Sequence, residues 1–149
     1  AFLGAAAARV SLLPRRAAEV DAVVAALWDD RDPDKALELL RQGNVDLASA
    51  DARQNGKTLL HFAAIDGHTA LVREMVAQGA DVGATDEQRG TTGFTPLIWA
   101  AMNGHAETCA ALLELGADAA AKDKSGSTAL DMAKAYDHAE AAAVLEAAA

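Results

Sequence analysis

The sequence predicts an all-α solenoid in which helix-turn-helix units stack in a row and carry hairpin fingers. Three observations predict it. A block opening on threonine recurs three times in one order, glycines punctuate the copies at matching offsets, and alanine carries much of the apolar content. The 149 residues fit one domain, since single cores usually occupy roughly 100–200 residues. Hydrophobic residues make up 52% of the chain and aromatics only 4%, while 39 residues are alanine. Alanine loses no side-chain entropy in a helix and lets neighbours approach closely, so many short, tightly packed helices are expected.

The repeat appears when the chain is laid over itself. Thr58-Leu59-Leu60-His61-Phe62-Ala63-Ala64 recurs as Thr95-Pro96-Leu97-Ile98-Trp99-Ala100-Ala101 and as Thr128-Ala129-Leu130-Asp131-Met132-Ala133-Lys134. The first two copies lie 37 residues apart and the last two 33. Gly67-His68 is matched by Gly104-His105 and Asp137-His138. Met75-Val76-Ala77-Gln78-Gly79-Ala80-Asp81 aligns with Leu112-Leu113-Glu114-Leu115-Gly116-Ala117-Asp118. A turn precedes each threonine: Asn55-Gly56-Lys57, Thr92-Gly93-Phe94 and Ser125-Gly126-Ser127.

Each element has a mechanical reason. Val20–Asp30 and Pro33–Gln42 read as a first helix pair, joined at Asp30-Arg31-Asp32-Pro33 and stopped by Gly43, with Trp28 placed to cover the first stacking surface. The threonines are expected to cap inner helices through their hydroxyls, and Pro96 stands where a first-turn residue has no N–H bond to lose. Leu60, Ala63 and Ala64 form an apolar edge on which a neighbour packs. Gly67 and Gly104 end the inner helices by tolerating a left-handed backbone. Outer helices are expected at about Ala70–Gln78 and Ala106–Leu115, with Leu71, Met75 and Val76 on one stripe and Gly79 and Gly116 as stops. Polar, glycine-bearing hairpins follow from Ala80 to Thr95 and from Ala117 to Thr128, and Ala139–Ala149 makes a final helix. One unit cannot bury its own apolar face, so the units must stack.

The pattern G-x-T-P-L-H-x-A-A-x-x-G-H followed by L-L-x-x-G-A-D resembles the ankyrin repeat, most closely over Thr58 to Asp118 and over about residues 20–149 with degenerate ends. The resemblance implies an ankyrin-repeat solenoid over residues 19–149, with repeats at about 19–50, 51–85, 86–122 and 123–149. Asp131 and Lys134, in place of apolar or small residues, suit a terminal repeat whose outer face meets water. The resemblance also implies that His61 caps its helix and ties adjacent loops together.

Residues 1–18 are of another kind. They hold Arg9, Arg15 and Arg16 and no acid, a charge of +3, so the rest of the −9 chain carries −12. This acid-poor, small-residue-rich composition is that of an organellar targeting sequence or its remnant, plastid or mitochondrial, with the cytoplasm as the alternative compartment. Phe2, Leu3, Leu12 and Leu13 could equally make it a docking extension buried against a partner.

Composition excludes several functions. An acidic body argues against nucleic acid, which demands clustered Lys and Arg. No apolar run approaches the roughly 18 residues that span a bilayer. Cys109 alone allows neither an internal disulfide nor a cysteine-cluster metal site, and a reducing compartment fits it. His68, His105 and His138 hold equivalent places about 10 Å apart by helix packing, whereas zinc needs ligands near 2 Å from one point. They are expected to bond loop backbone. Cys109 aligns with Val72 and reads as a structural thiol. Gly90-Thr91-Thr92-Gly93 lacks the lysine and strand of a phosphate loop. Asp29-Asp30 and Asp32-Pro33-Asp34 read as a capping loop. No catalytic residue, cofactor or metal is expected.

The expected function is therefore protein binding by an adaptor or accessory subunit of a larger assembly. The rivals are a chaperone or targeting factor for hydrophobic organellar clients and a regulatory module bound to an enzyme. In the family that the chain resembles, partners bind the concave side, formed by finger tips and exposed inner-helix residues. Carried over by position, this implies Gln54, Asn55, Lys57, Ile65 and Asp66 in one repeat. The next contributes Glu87, Gln88, Arg89, Phe94, Met102 and Asn103, and the last Lys124, Ser125, Ser127, Ala135 and Tyr136. Phe94, Met102 and Tyr136 are the expected anchors, since aromatics dominate hot spots. The hairpin from Asp86 to Thr95 is four residues longer than that from Asp123 to Thr128, which makes it either a contact finger or a tolerated insertion.

Overall fold

The computed structural model describes residues 22–27, 29–42, 47, 56–86 and 93–148. Trp28 and the 1–18 arm lie outside the described residues. Within them the chain is helical: α1 (22–27), α2 (Pro33–Gln42), α3 (Leu59–Asp66), α4 (Thr69–Ala77), α5 (Pro96–Met102), α6 (Ala106–Glu114), α7 (Ala129–Ala135) and α8 (Ala139–Ala148). Lys57 makes a single bridge and no longer strand occurs among the described residues. The expected first helix ends sooner than read, as the Asp30 amide turns back to the Ala25 carbonyl and the Asp32 amide to Ala26.

Two layers result. Helix α3 packs on α5 and α5 on α7, making an inner layer, while α2, α4, α6 and α8 pack in succession as an outer layer. Short α3, α5 and α7 exist because threonine starts each one. Thr58, Thr95 and Thr128 all hold extended backbone, and their hydroxyls accept from the amides of His61, Ile98 and Asp131. Pro96 then sits in the first turn of α5, where its missing N–H costs nothing.

The core runs along the seam between layers. Leu60, Leu71, Met75, Leu97, Ile98, Leu112 and Leu145 are buried, with Ala63, Ala64, Ala100, Ala101 and Ala133 between them letting the helices close up. Burying one such large side chain is worth about 1.5–3 kcal/mol. Ion pairs also cross the outer layer, Arg41 to Glu74 at 3.6 Å and Arg73 to Glu114 at 2.8 Å. Half-exposed pairs of this kind contribute about 1 kcal/mol at most. The apolar seam therefore holds the stack.

Register between units comes from a histidine over a glycine. His105 Nε2 donates to the Ile65 carbonyl of the preceding repeat at 2.9 Å, and His138 Nε2 donates to Met102 at 3.0 Å. His105 makes no side-chain bond at the N-cap of α6. The rings can seat only because Gly67 and Gly104 lack a side chain: a Cβ at either would stand 2.5 Å from the following histidine's Nδ1. Both glycines also hold positive φ, 74° and 77°. The third copy of the motif has Asp137 at φ 60°, a conformation that aspartate tolerates better than most residues.

Replacing Gly104 by alanine should cost about 2–3 kcal/mol, from backbone strain plus a displaced histidine and its lost hydrogen bond. Gly126 provides the control. Its φ is 87° but nothing lies within 4 Å of an added Cβ, so Gly126→Ala bears only the strain, about 1 kcal/mol. Urea unfolding of the two variants would read the difference, and equal losses would show that the ring contributes nothing.

Candidate functional site

The fingers rise from aspartates. Asp86 donates its amide to the Phe94 carbonyl at 3.0 Å, and its Oδ1 accepts the Phe94 amide at 2.9 Å. One repeat on, Asp123 does the same with Ser127, at 2.9 Å and 3.0 Å. Both aspartates are buried. The two fingers differ in length but share this base, so the inserted residues enter between fixed points.

The second oxygen of Asp86 ties the finger base to α5. Oδ2 accepts the indole N–H of Trp99 at 3.0 Å, although Trp99 stands 13 residues later on α5. Phe94 meets that indole edge-on, with centroids 5.1 Å apart and planes at 86°. From the preceding finger, the Lys57 ammonium lies 5.1 Å from the Trp99 ring centroid, within cation–π range. The Trp99 carbonyl accepts from the Asn103 side chain at 2.8 Å. A half-buried indole is thus held by both its polar edge and its faces.

His61 fixes the finger beside it. The Thr58 amide donates to His61 Nδ1 at 3.1 Å, so Nδ1 accepts and the ring proton resides on Nε2. Nε2 then donates to the Phe94 carbonyl at 2.9 Å, across to the next repeat. The capping and tying role implied for His61 is therefore present. Asp131, its counterpart on α7, keeps only the capping half, accepting the Thr128 amide at 2.9 Å.

The expected contact residues separate by surroundings. Gln54, Asn55, Glu87, Gln88 and Arg89 lie outside the described residues. Asp66, Asn103, Lys124, Ser125, Ala135 and Tyr136 are exposed, with Tyr136 the most exposed large apolar side chain among those described, at 55%. Lys57, Ile65, Phe94, Met102 and Ser127 are half-buried. Ile65 and Met102 contribute their carbonyls to the histidine latch, and the Ser125 hydroxyl is committed to Asp123 Oδ1 at 2.6 Å. Phe94 supports Trp99 and packs against the core. Trp99 and Asp86 did not stand out in the sequence. The signal was available: Trp99 fills the variable place after Ile98, where the other copies carry Phe62 and Met132.

The remaining chemistry is structural. Cys109 is fully buried, and burial pushes its thiol up to about 12. His105 and His138, expected to bond loop backbone, instead bond the last-turn carbonyls of helices α3 and α5, while His68 Nε2 lies 3.9 Å from the Asp66 carboxylate. Among the described residues no group of three or more His, Cys, Asp or Glu is placed to hold a metal, and no helix is long and apolar enough to cross a membrane. The Ser125 hydroxyl, with the amides of Ser127, Ser125 and Gly126, holds the Asp123 carboxyl below the usual aspartate value. The Thr128 amide and then its hydroxyl do so for Asp131.

Two measurements follow. Cys109 should resist thiol reagents in the folded protein and react only as fast as the chain unfolds, since the thiolate is the nucleophile; prompt labelling without denaturant would contradict its burial. For the aspartates, a depressed folded value means a contribution present above the unfolded value near 4 and lost as pH falls through the folded one. The stability gap between wild type and an Asp123→Asn/Asp131→Asn double variant should hold from pH 7 to about 5 and narrow as pH falls below the unfolded value near 4. A gap independent of pH would remove the assigned hydrogen bonds from the account.

The family whose model describes ankyrin repeats (3 copies) matches residues 23–123 and again residues 78–148. A comparison with curated proteins finds no match. Together the two matched stretches take in every described helix from residue 23 to Ala148, and on that ground the chain belongs to the ankyrin-repeat family.

Proposed function

We propose that this chain is a non-catalytic protein-binding scaffold, acting as an adaptor or accessory subunit in a larger assembly through its concave face. Ankyrin repeats generally mediate protein–protein interaction. The observation that supports the reading most is the arrangement around Trp99. An aromatic side chain, partly open to solvent, is fixed by Asp86 Oδ2, Phe94 and Lys57 before any partner arrives. Rigid aromatic anchors bind at low entropic cost, and they dominate interface energetics.

Tyr136 extends that surface to the last repeat, following α7 with its ring exposed. The basic, acid-poor composition of residues 1–18 favours a docking or organellar role for that arm, and we propose a plastid or mitochondrial assembly as its setting. Capture of extended apolar clients fits less well, because Tyr136 is the sole large apolar side chain that is exposed among the described residues.

Size-exclusion of native extract should place the chain well above its 15.3 kDa monomer mass. With the co-eluting partner purified, Tyr136→Ala should weaken binding by about 10- to 100-fold, the range of a hot-spot residue, and leave unfolding unchanged because the ring is exposed. Monomeric elution from native extract would count against the assembly role. Undiminished affinity in the Tyr136 variant would remove that residue from the contact surface.

A further inference from the structure

Three histidines stand just ahead of outer helices, and one of them makes no latch. His105 and His138 seat over Gly67 and Gly104 and donate to the carbonyls of Ile65 and Met102 in the repeat before. His68 holds the same place ahead of α4, yet it turns toward its own repeat. Its Nε2 lies 3.9 Å from the Asp66 carboxylate, and its side chain is 33% exposed.

The seat that His68 would need is filled. Ahead of α2, the residue in the glycine's place is Arg31 at φ 51°, followed by Asp32, whose carboxylate accepts the Lys35 amide as a cap. Gly67, at φ 74°, precedes His68 in the same way. A Cβ at Gly67 would come within 2.5 Å of the next imidazole, and Arg31 carries that Cβ with a long side chain beyond it. The turn differs as well. The Asp32 amide bonds back to Ala26, a step of six residues, whereas the His68 amide bonds back to Ala63, a step of five.

The finger tie has no counterpart here either. His61 bonds the Phe94 carbonyl of the next repeat, and residues 19–50 contain no histidine. The joint between the first two repeats is crossed by the packing of α2 on α4, with Leu40 buried in it. Gln78 Nε2 donates to the Leu40 carbonyl at 2.6 Å, and Arg41 pairs with Glu74 at 3.6 Å on the surface. Such exposed pairs contribute little.

We infer that the first repeat is a hinged unit: α1 and α2 open together from a latched body that runs from α3 to α8. The stability of a stacked array is a sum of unit and interface terms, so it parts at the joint that lacks the directional contact. Opening uncovers the side of α4 on which α2 packs. The last repeat is the internal comparison, because among the described residues it too has one neighbouring repeat, and His138 latches it. The inference stands apart from the partner-binding reading.

Hydrogen exchange of the full chain, read by NMR at the amides of Leu40 and Leu145, tests it; both leucines are buried, one in the first and one in the last of the outer helices α2 and α8. After correction for intrinsic rates, Leu40 should exchange about tenfold or more faster than Leu145. His138→Ala should speed Leu145 by about tenfold, the worth of the lost bond, and leave Leu40 as it was. His68→Ala should change neither. Equal protection of the two leucines in wild type would overturn the hinge. So would a His68→Ala variant that opens α2, or a His138→Ala variant in which Leu145 keeps its protection. Should His138→Ala fail to fold, the wild-type comparison and His68→Ala still decide.

Discussion

Each repeat here hides its apolar stripe only against the next, so the contact that sets one repeat on another governs everything built above it. That contact is the imidazole of His105 or His138 seated over the preceding repeat's glycine and bonded to a carbonyl two residues before it. Apolar burial supplies most of the stabilisation but is indifferent to small slides along the seam. A directional hydrogen bond with a ring in a space that no Cβ could share is not indifferent. The glycine and the histidine of each pair lie in different repeats, so neither can change alone without unseating a whole unit.

From that register the placing of the fingers follows. With the inner helices α3, α5 and α7 set in order, the finger bases fall into line, and Asp86 and Asp123 clamp them by the same two backbone bonds. The clamp uses the aspartate amide and one carboxylate oxygen. The other oxygen is satisfied in one repeat by the indole of Trp99, whereas Met132, at the matching place in the next repeat, has no N–H to offer. His61 adds a tie from its own cap to the next finger, which Ile98 and Asp131, its counterparts, do not repeat.

Most of the fold was legible because its causes are local. Threonine caps, Pro96 and glycine stops act within a turn of themselves, so Pro33–Gln42 was read to the residue and the outer helices within one or two. The site was legible only in part, since its causes are not local. Asp86 reads as an ordinary polar hairpin residue until Trp99, 13 positions later, is brought to it. The G-H dipeptide shows that histidine matters but hides that its partner is 40 residues back, at Ile65. Phe94 reads as an exposed anchor, and only packing reveals it as the edge that steadies Trp99.

The fixed finger bases explain how a finger changes length without disturbing the stack. Four extra residues in a closed loop raise its closure cost by about 0.5 kcal/mol, far less than one buried leucine contributes. Phe94 stays in place because Asp86 holds its amide and carbonyl, with His61 Nε2 on the same carbonyl. Trp99 stays because α5 begins at Thr95 whatever precedes Gly93. The fixed bases carry the fold, and the residues between them are free to differ from one finger to the next. A finger built this way can change its length or sequence with the histidine latch untouched.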